Sequence, residues 1–429
     1  MRVYIGIDDT DSKRSMCTTY VAAVALRRAE SLGAKRADLP WLVRLNPNCP
    51  YKTRGNAATC LPLEVEPSVF GAVWNSVVET VRELADLENG ADPGVAAFSE
   101  ESRPLLAGLY LRAVRELVEL ESVLKVCESH AIRYWAFGES RGLIGAAAAA
   151  GAKEETLTTY ELLAYRTRAM WGKERLIDPE SVRRMDELFG GQTFDNYDYD
   201  RDEVRITPHT PCPVLLGIRS TCVEVLSESL SVLRINEPLE FYEVFKTNQA
   251  TDLHYVVRDL RSIRPLESVV VRGRVASEPR VTPGGHVFLK VSDDSGSVTV
   301  AAYEPTGAFR WVVARLTVGD EVAVYGSVKI KPEGLTLNLE KLHVLKLKEV
   351  YVERAPPCPL CKKSMKSVGS RKGYRCERCG YIDPKATKVR KRVDRGLVEG
   401  FYEVTVTARR HLVRPLSLKE SGPNDHRSA

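Results

Sequence analysis

Three closely spaced carboxylates are the residues best placed to do chemistry in this chain. In MRVYIGIDDTDSKRSMCTTY, Asp8, Asp9 and Asp11 follow a short apolar run and precede the hydroxyl pair Thr18 and Thr19. Carboxylates so placed can hold Mg²⁺ between phosphate oxygens, because that ion is usually bound by one or two carboxylates, substrate phosphates and retained waters. Free N–H groups and the dipole at a helix start would add attraction for an anion. Read alone, DDTD is equally well described as a solvated turn with Asx-type hydrogen bonds and a helix cap. No GxxxxGK[ST] loop occurs in the chain, so an ATP site here is not a P-loop.

The elements that must position these groups can be read from hydrophobic period. Val3, Ile5 and Ile7 give a buried strand whose carboxyl end releases Asp8, and in open α/β sheets ligands sit at that end. YVAAVALRRAESLG then has helical spacing, with Gly33 as its stop. WLVRLNPNCPYKTRGNAATCLPLEV reads as two strands joined by a polar loop, in which Lys52 and Arg54 suit phosphate and Gly55 allows close backbone approach. Two long helical patterns follow, around 68–87 and 105–129. AIRYWAFGESRGLIGAAAAAG is a strand, a glycine-bearing loop with Arg141 and Gly142, and an alanine-rich helix start that suggests tight helix packing. Arg141 could stabilise transferring phosphate charge, although the loop is not a Walker or Rossmann signature.

Cys358, Cys361, Cys376 and Cys379 form two CxxC pairs, the spacing of a tetrahedral Cys₄ Zn²⁺ site. A redox reading of one pair lacks the βαβ context it needs. So small a ribbon draws its folding energy from the metal. It would present Lys363, Arg371, Lys372, Tyr374 and Arg378 to a nucleic acid, the cations to phosphates and the aromatic ring to an unstacked base. The alternative for Tyr374 and Tyr381 is that they cover the zinc knuckles. The other six cysteines read as core thiols of a reducing compartment.

Composition sets the frame. A chain of 429 residues exceeds one ordinary core, and 28% charged with 44% apolar residues argues against wholesale disorder. No apolar run is long enough to span a bilayer and no signal-peptide pattern is present, so no membrane role and a cytoplasmic location are expected. The net charge of +5 is modest, but basic residues crowd from Lys362 onward, an electrostatic footprint for nucleic acid. The expected fold class is multidomain α/β plus β. Its parts are a mixed α/β segment over 1–195, a smaller βαβ-type α/β segment over 196–267, an OB-fold barrel over 268–347, a Cys₄ zinc ribbon over 354–385 and a basic C-terminal extension over 386–429. The barrel rests on Val-rich alternating strands separated by Gly, Pro and Asp turns, with a helix candidate at 308–316. His209 and Cys212 in TPHTPCP read as part of a rigid proline linker. The extension after Gly396 has strand-like alternation and either binds RNA or docks on another domain.

Taken in order, GIDDTDS, MCTTY, NPNCPYKTRGN, GESRGLIGAAAAAG, ITPHTPCPVLLGIRS and FKTNQATDLH, followed by the barrel and the ribbon, resemble the archaeal agmatidine synthetase family, TiaS. The resemblance covers nearly the whole chain. It implies an ATP-dependent ligase that conjugates agmatine to C2 of the wobble cytidine of the AUA-reading isoleucine tRNA with a CAU anticodon. The route is a phosphorylated cytidine, with release of AMP and two phosphates. It also implies that 1–195 is an ATP-binding kinase-like domain, which phosphorylates one of its own threonines at the position of Thr18, and that 196–267 is a ferredoxin-like domain. On that reading Asp8, Asp9, Asp11 and Thr18 are catalytic, with Mg²⁺ on the aspartates. Lys52, Arg54, Gly55, Arg141 and Gly142 would bind ATP. Agmatine needs carboxylate or carbonyl acceptors, sought at Asp198, Asp202, Asn248 and Asp252. A monomer is expected. The rival reading is a non-catalytic OB-fold and ribbon protein that binds RNA or single-strand DNA, with a domain that only binds nucleotide. A third is an RNA kinase indifferent to agmatine.

Overall fold

The computed structural model describes residues 1–369 and 372–418. The first half contains β1 (Arg2–Asp8), α1 (Thr18–Ser31), β2 (Trp41–Arg44), β3 (Ala57–Glu64), α2 (Pro67–Leu84), β4 (Gly94–Ser99), α3 (Ala107–Arg115), α4 (Leu120–Ser129), β5 (Arg133–Ala136) and α5 (Gly142–Ala150). It continues with β6 (Thr159–Arg166), α6 (Pro179–Phe189), β7 (Thr193–Phe194), β8 (Val214–Ser220), α7 (Val225–Val232) and β9 (Leu239–Thr247). These strands form one sheet in the order β5-β4-β1-β3-β2-β9-β6-β8-β7, and Lys35–Arg36 pairs with β3 as a tenth strand.

Alternation explains the layering. Val3, Ile5 and Ile7 face one core with α1 and α2, while Tyr4 faces a second core with Trp41 and the alanines of α5. The alanine-rich helix packs against bare backbone. A Cβ on Gly6 would stand 1.9 Å from the Ala146 carbonyl oxygen, and one on Gly94 would stand 2.1 Å from the Leu143 nitrogen. Small residues on both sides are what permit that approach, as the sequence suggests.

Three expectations change. β1 runs antiparallel to both of its neighbours, β3 and β4, so the crevice rule for parallel sheets does not locate the aspartates; the seat of α5 beneath them does. The helical pattern of 105–129 breaks at Glu116, whose backbone is extended, and residues 116–120 become a wall of the cleft described below. The boundary expected at 195/196 divides no sheet: β6 pairs antiparallel with β8 and β9, and β9 joins the first half-sheet through parallel pairing of Lys246 with Trp41 and Thr247 with Leu42. Leu162 and Ala164 on β6 face the core formed with α6 and α7, and Leu163 and Tyr165 face the core of α1. Burial on both faces ties the two halves together.

The barrel follows as β10 (Ser268–Val275), β11 (Val287–Ser292), β12 (Ser297–Ala302), α8 (Phe309–Val313), β13 (Glu321–Lys331) and β14 (Gly334–Lys346). Pairing runs β10-β13-β14-β12-β11 and closes between β10 and β11, around a core of Val, Leu and Phe side chains. The ribbon is a three-stranded meander of Lys366–Ser367, Tyr374–Arg375 and Ile382–Asp383. Beyond it Gly400–Glu403 pairs with β14. The chain then crosses back to the first half: Ala250 donates to His411 O at 2.8 Å and Asp252 to Leu412 O at 2.8 Å, and Leu412 enters the core beside Trp41. The extension docks.

Candidate active site and zinc ribbon

A cleft of about 530 Å³ opens where β1, the 46–56 hairpin, the start of α5, the 205–212 segment and the returning C-terminus meet. That volume is ordinary for a small-molecule site. Asp8, Asp9, Asp11, Thr18, Lys52, Arg54, Gly55 and Arg141 all line it.

Asp9 turns the chain at φ 55°, which brings three carboxylates to one face. Burial is the largest influence on each. Asp8 is pushed well above the usual carboxylate range by burial and then by Asp9 and Asp11. Asp9 is pushed up to about 7 by burial, Asp11 and Asp92, against the pull of Arg141. Asp11 is raised by burial in spite of Arg54. Asp8 and Asp9 make no ion pair among the described residues, whereas Arg54 donates to Asp11 Oδ2 from Nε at 2.9 Å and from Nη2 at 2.5 Å. The same guanidinium donates to Met16 O at 2.5 Å and Thr210 Oγ1 at 2.9 Å. Hard oxygen donors that repel one another fit a divalent cation, which would reverse the cost of their ionisation. Asp8 and Asp9 are the freer pair of donors.

Thr18 is the first residue of α1, and the helix has no side-chain cap. Its hydroxyl donates to Asp11 Oδ1 at 3.4 Å and accepts from Thr10 Oγ1 at 3.2 Å. The opposite wall is α5, where Gly145 is needed: a Cβ there would lie 1.8 Å from Asp8 Oδ2. Asp92 holds the turn before that helix, accepting from the Ser140 and Arg141 amides at 3.0 and 3.3 Å. Arg141 then stacks on Tyr51, its Cζ 3.4 Å from the ring centroid. Gly142 does not line the cleft; it lets the helix start pass Gly94 N and Asp8 O, which a Cβ would approach to 2.4 and 2.8 Å.

The other end of the cleft was not legible in the sequence. Glu161, its side chain 3% exposed, accepts from Gln249 Nε2 at 2.6 Å and pairs with Arg44 at 3.3 Å and Arg219 at 3.2 Å. His411 from the C-terminal segment lies against Gly55 and is held well below the usual histidine range by burial, then by Arg44, Arg219, Lys52 and Arg205. His209, Thr210 and Cys212 line the cleft as well, so the proline-rich segment is a wall as well as a connection. Only its density of polar residues could have pointed to it.

None of the four residues sought for agmatine lines the cleft; each is engaged by another part of the chain. Asp198 accepts from Thr407 Oγ1 at 2.6 Å and Thr407 N at 2.9 Å. Asp202 pairs with Arg183 and accepts from Tyr197 OH at 2.7 Å. Asn248 clamps the Arg44 backbone through 2.7 and 3.0 Å bonds. Asp252 takes Lys341 Nζ at 2.6 Å and Arg414 N at 2.7 Å. Asp198, Asn248 and Asp252 join segments distant in sequence, whereas the partners of Asp202 are local.

In the ribbon the four sulfurs lie within 4.8 Å of one another, with Cys358 and Cys379 at 3.5 Å and Cys361 and Cys376 at 3.4 Å. Tetrahedral Zn–S bonds of about 2.3 Å require sulfurs about 3.8 Å apart, so zinc fits. Both knuckles turn through positive φ, at Lys362 (61°) and Gly380 (76°). Lys363, Lys372 and Arg378 are exposed. Tyr374 and Tyr381 are half-buried and pack against the knuckle core. Arg371 lies outside the described residues.

Comparison with known proteins places these parts together. Models of the TiaS TCKD domain, the TiaS FLD domain, an OB-fold nucleic acid binding domain and the TiaS C-terminal zinc ribbon domain match residues 4–65, 140–254, 269–345 and 355–397. The isoleucine-tRNA 2-agmatinylcytidine synthetase TiaS of Archaeoglobus fulgidus is 42% identical over 97% of both chains. That of Methanocaldococcus jannaschii is 38% identical over 97% of this chain and 98% of its own. A crystal structure of apo TiaS superposes with TM-score 0.90 at 41% identity and 97% coverage of both chains. One of TiaS in complex with its isoleucine tRNA, AMPCPP and agmatine gives 0.84 at 40% identity and 97% coverage of both. With all four domain models matched in order and full-length relatives about 40% identical, this chain belongs to the TiaS family of isoleucine-tRNA 2-agmatinylcytidine synthetases.

Proposed function

We propose that this protein uses ATP to conjugate agmatine to C2 of the wobble cytidine of the CAU-anticodon isoleucine tRNA, in the cytoplasm and as a monomer. The observation that carries the reading is the meeting of Asp8, Asp9, Asp11, Thr18, Arg54 and Arg141 in one cleft, on a chain with a nucleic-acid barrel and ribbon.

The chemistry follows from the substrate. Cytosine O2 is a poor leaving group; as a phosphate ester it departs when the primary amine of agmatine forms the C2–N bond. One phosphate of ATP thus passes through O2 and leaves as inorganic phosphate. One water hydrolyses the phosphoanhydride bond of the remaining ADP, so ATP ends as AMP with two phosphates released. Asp8 and Asp9 would hold Mg²⁺, which supplies charge neutralisation on the phosphate oxygens. Arg54, fixed by Asp11, and Arg141, held flat on Tyr51, stabilise charge on the transferring group from two sides. Lys52 donates to Pro47 O at 2.6 Å and has no carboxylate partner among the described residues, which leaves its charge for a phosphate. Thr18 is the phosphate acceptor within the protein. Agmatine's two cationic ends would be met by Glu161 in the floor and by Glu116 and Glu119 on the rim. Exposed Lys363, Lys372 and Arg378 on the ribbon would grip tRNA phosphates.

Incubation with ATP, agmatine and the isoleucine tRNA transcript should add the mass of agmatine less water to the wobble cytidine. No adduct from the wild type, or an undiminished one from Asp9→Ala, refutes the reading. Phosphorylated tRNA as the final product, indifferent to agmatine, would favour a simple RNA kinase.

A further inference from the structure

The barrel meets the 46–56 hairpin that walls the cleft, and cations outnumber carboxylates there. On β13 the side chains of Val322, Val324 and Val328 enter the barrel core. Strand alternation puts Lys329 and Lys331 on the outer face. Neither makes an ion pair among the described residues, and Lys331 is exposed. Arg410, from the returning C-terminus, bridges this strand pair to the hairpin: it donates to Asn48 Oδ1 at 2.8 Å and pairs with Glu340 of β14 at 3.3 Å. Asn48 is itself bound to Ser268 Oγ of the barrel at 3.0 Å. Lys52, four residues along the same hairpin, lines the cleft.

These groups feel one another. Lys329 is held below the usual lysine range by burial and then by Arg410 and Lys52, and Lys331 adds to that repulsion. Burial and Arg410 act on Lys52 in the same direction. Glu340 is the carboxylate that acts on Lys329, and it is engaged by Arg410 and by Tyr255 OH at 2.8 Å. Like charges held together at a docked interface cost stability. A polyanion lying along them removes that cost.

We propose that Lys331, Lys329, Arg410 and Lys52 form a continuous cationic seam that carries the phosphodiester backbone of single-stranded RNA from the barrel into the catalytic cleft. The proposal rests on the tRNA-modifying reading above and adds the path by which the strand next to the reacting nucleotide enters. The seam engages phosphates, so it sets affinity and register without reading bases.

The test is the double variant Lys329→Ala/Lys331→Ala, which touches neither the aspartates nor the ribbon. Affinity for the tRNA transcript is measured as a function of salt, beside thermal unfolding and ATP binding. The expected result is binding weakened by about tenfold at low salt, with the log K against log salt slope shallower by about 1.4, or about 0.7 for each single-strand phosphate no longer neutralised. ATP binding should match the wild type, and the unfolding temperature should be no lower, because the substitutions relieve like-charge repulsion. A variant that binds tRNA with wild-type affinity and slope overturns the seam while leaving the ligase reading intact. A wild-type protein that binds no tRNA overturns both. Charge reversal, Lys329→Glu, should weaken binding further, and failure to do so also counts against the seam.

Discussion

Arg54 donates from both Nε and Nη2 to a single oxygen of Asp11, at 2.9 and 2.5 Å, and the other oxygen of that carboxylate accepts from Thr18 at 3.4 Å. One side chain thereby fixes the last carboxylate of the cluster and, through it, the hydroxyl at the start of α1. Because Arg54 also reaches Met16 O and Thr210 Oγ1, its planar fork cannot be replaced by a point charge. Arg54→Lys should cut adduct formation by about 10²-fold or more, with Arg54→Ala at least as severe. Steady-state assays with saturating ATP would check this; a lysine variant near wild-type activity would show that the fork is dispensable.

Thr18 offers a hydroxyl and little else in the cleft. Thr18→Ser should retain most phosphate incorporation into the protein from radiolabelled ATP, and Thr18→Val, nearly isosteric, should abolish it. Undiminished labelling of the valine variant would place the modified residue elsewhere.

Two glycines at the α5–β1 contact, Gly145 in the helix and Gly6 on the strand, should fail differently. A Cβ at Gly145 meets the Asp8 carboxylate at 1.8 Å, whereas one at Gly6 meets the backbone carbonyl of Ala146 at 1.9 Å. Gly145→Ala should therefore displace Asp8 and depress turnover by about 10²-fold or more while the chain still folds. Gly6→Ala should cost about 3 kcal/mol or more by prising the helix from the sheet. Thermal melts beside activity assays separate the two effects.

Chelation of zinc, or Cys376→Ser, should unfold the ribbon and weaken tRNA binding while ATP binding by the first half persists. The ribbon's sulfurs and knuckle core share no side chains with the cleft. Loss of both activities together, in an ATP-binding titration run alongside a gel-shift assay, would contradict that independence.

Glu340 gives a pH dependence with a definite sign. Burial acts to raise its pKa, but Arg410, His254 and Tyr255 together pull it from 4.5 down to about 2. A carboxylate depressed in the folded state contributes stability that is fully present above its unfolded value. That contribution is lost as pH falls through the folded one. The loss should span roughly pH 4.5 to 2 and amount to about 3 kcal/mol. Glu340→Gln should lower the melting temperature at pH 7 and flatten its fall over that acid range, as followed by circular dichroism.

Local features are the ones that could be read from the residues alone. Two CxxC pairs define a zinc chelate because their ligands lie a few residues apart on turns. Val-rich alternation defines barrel strands because one face must be buried. GIDDTDS sets carboxylates at a strand end, and the glycines and alanines of GLIGAAAAA announce close packing. Which distant segments share the cleft depends on closure of the whole chain. Arg54 meets Thr210 across 156 residues, and His411 arrives at Gly55 only after the chain has passed through barrel and ribbon. The same closure turned Asp198, Asn248 and Asp252 from candidate ligand contacts into cross-links, binding Thr407, the Arg44 backbone and Lys341. Polar residues that close long-range contacts and polar residues that face a ligand have the same composition and spacing. Only the burial of one set against the rest of the chain tells them apart.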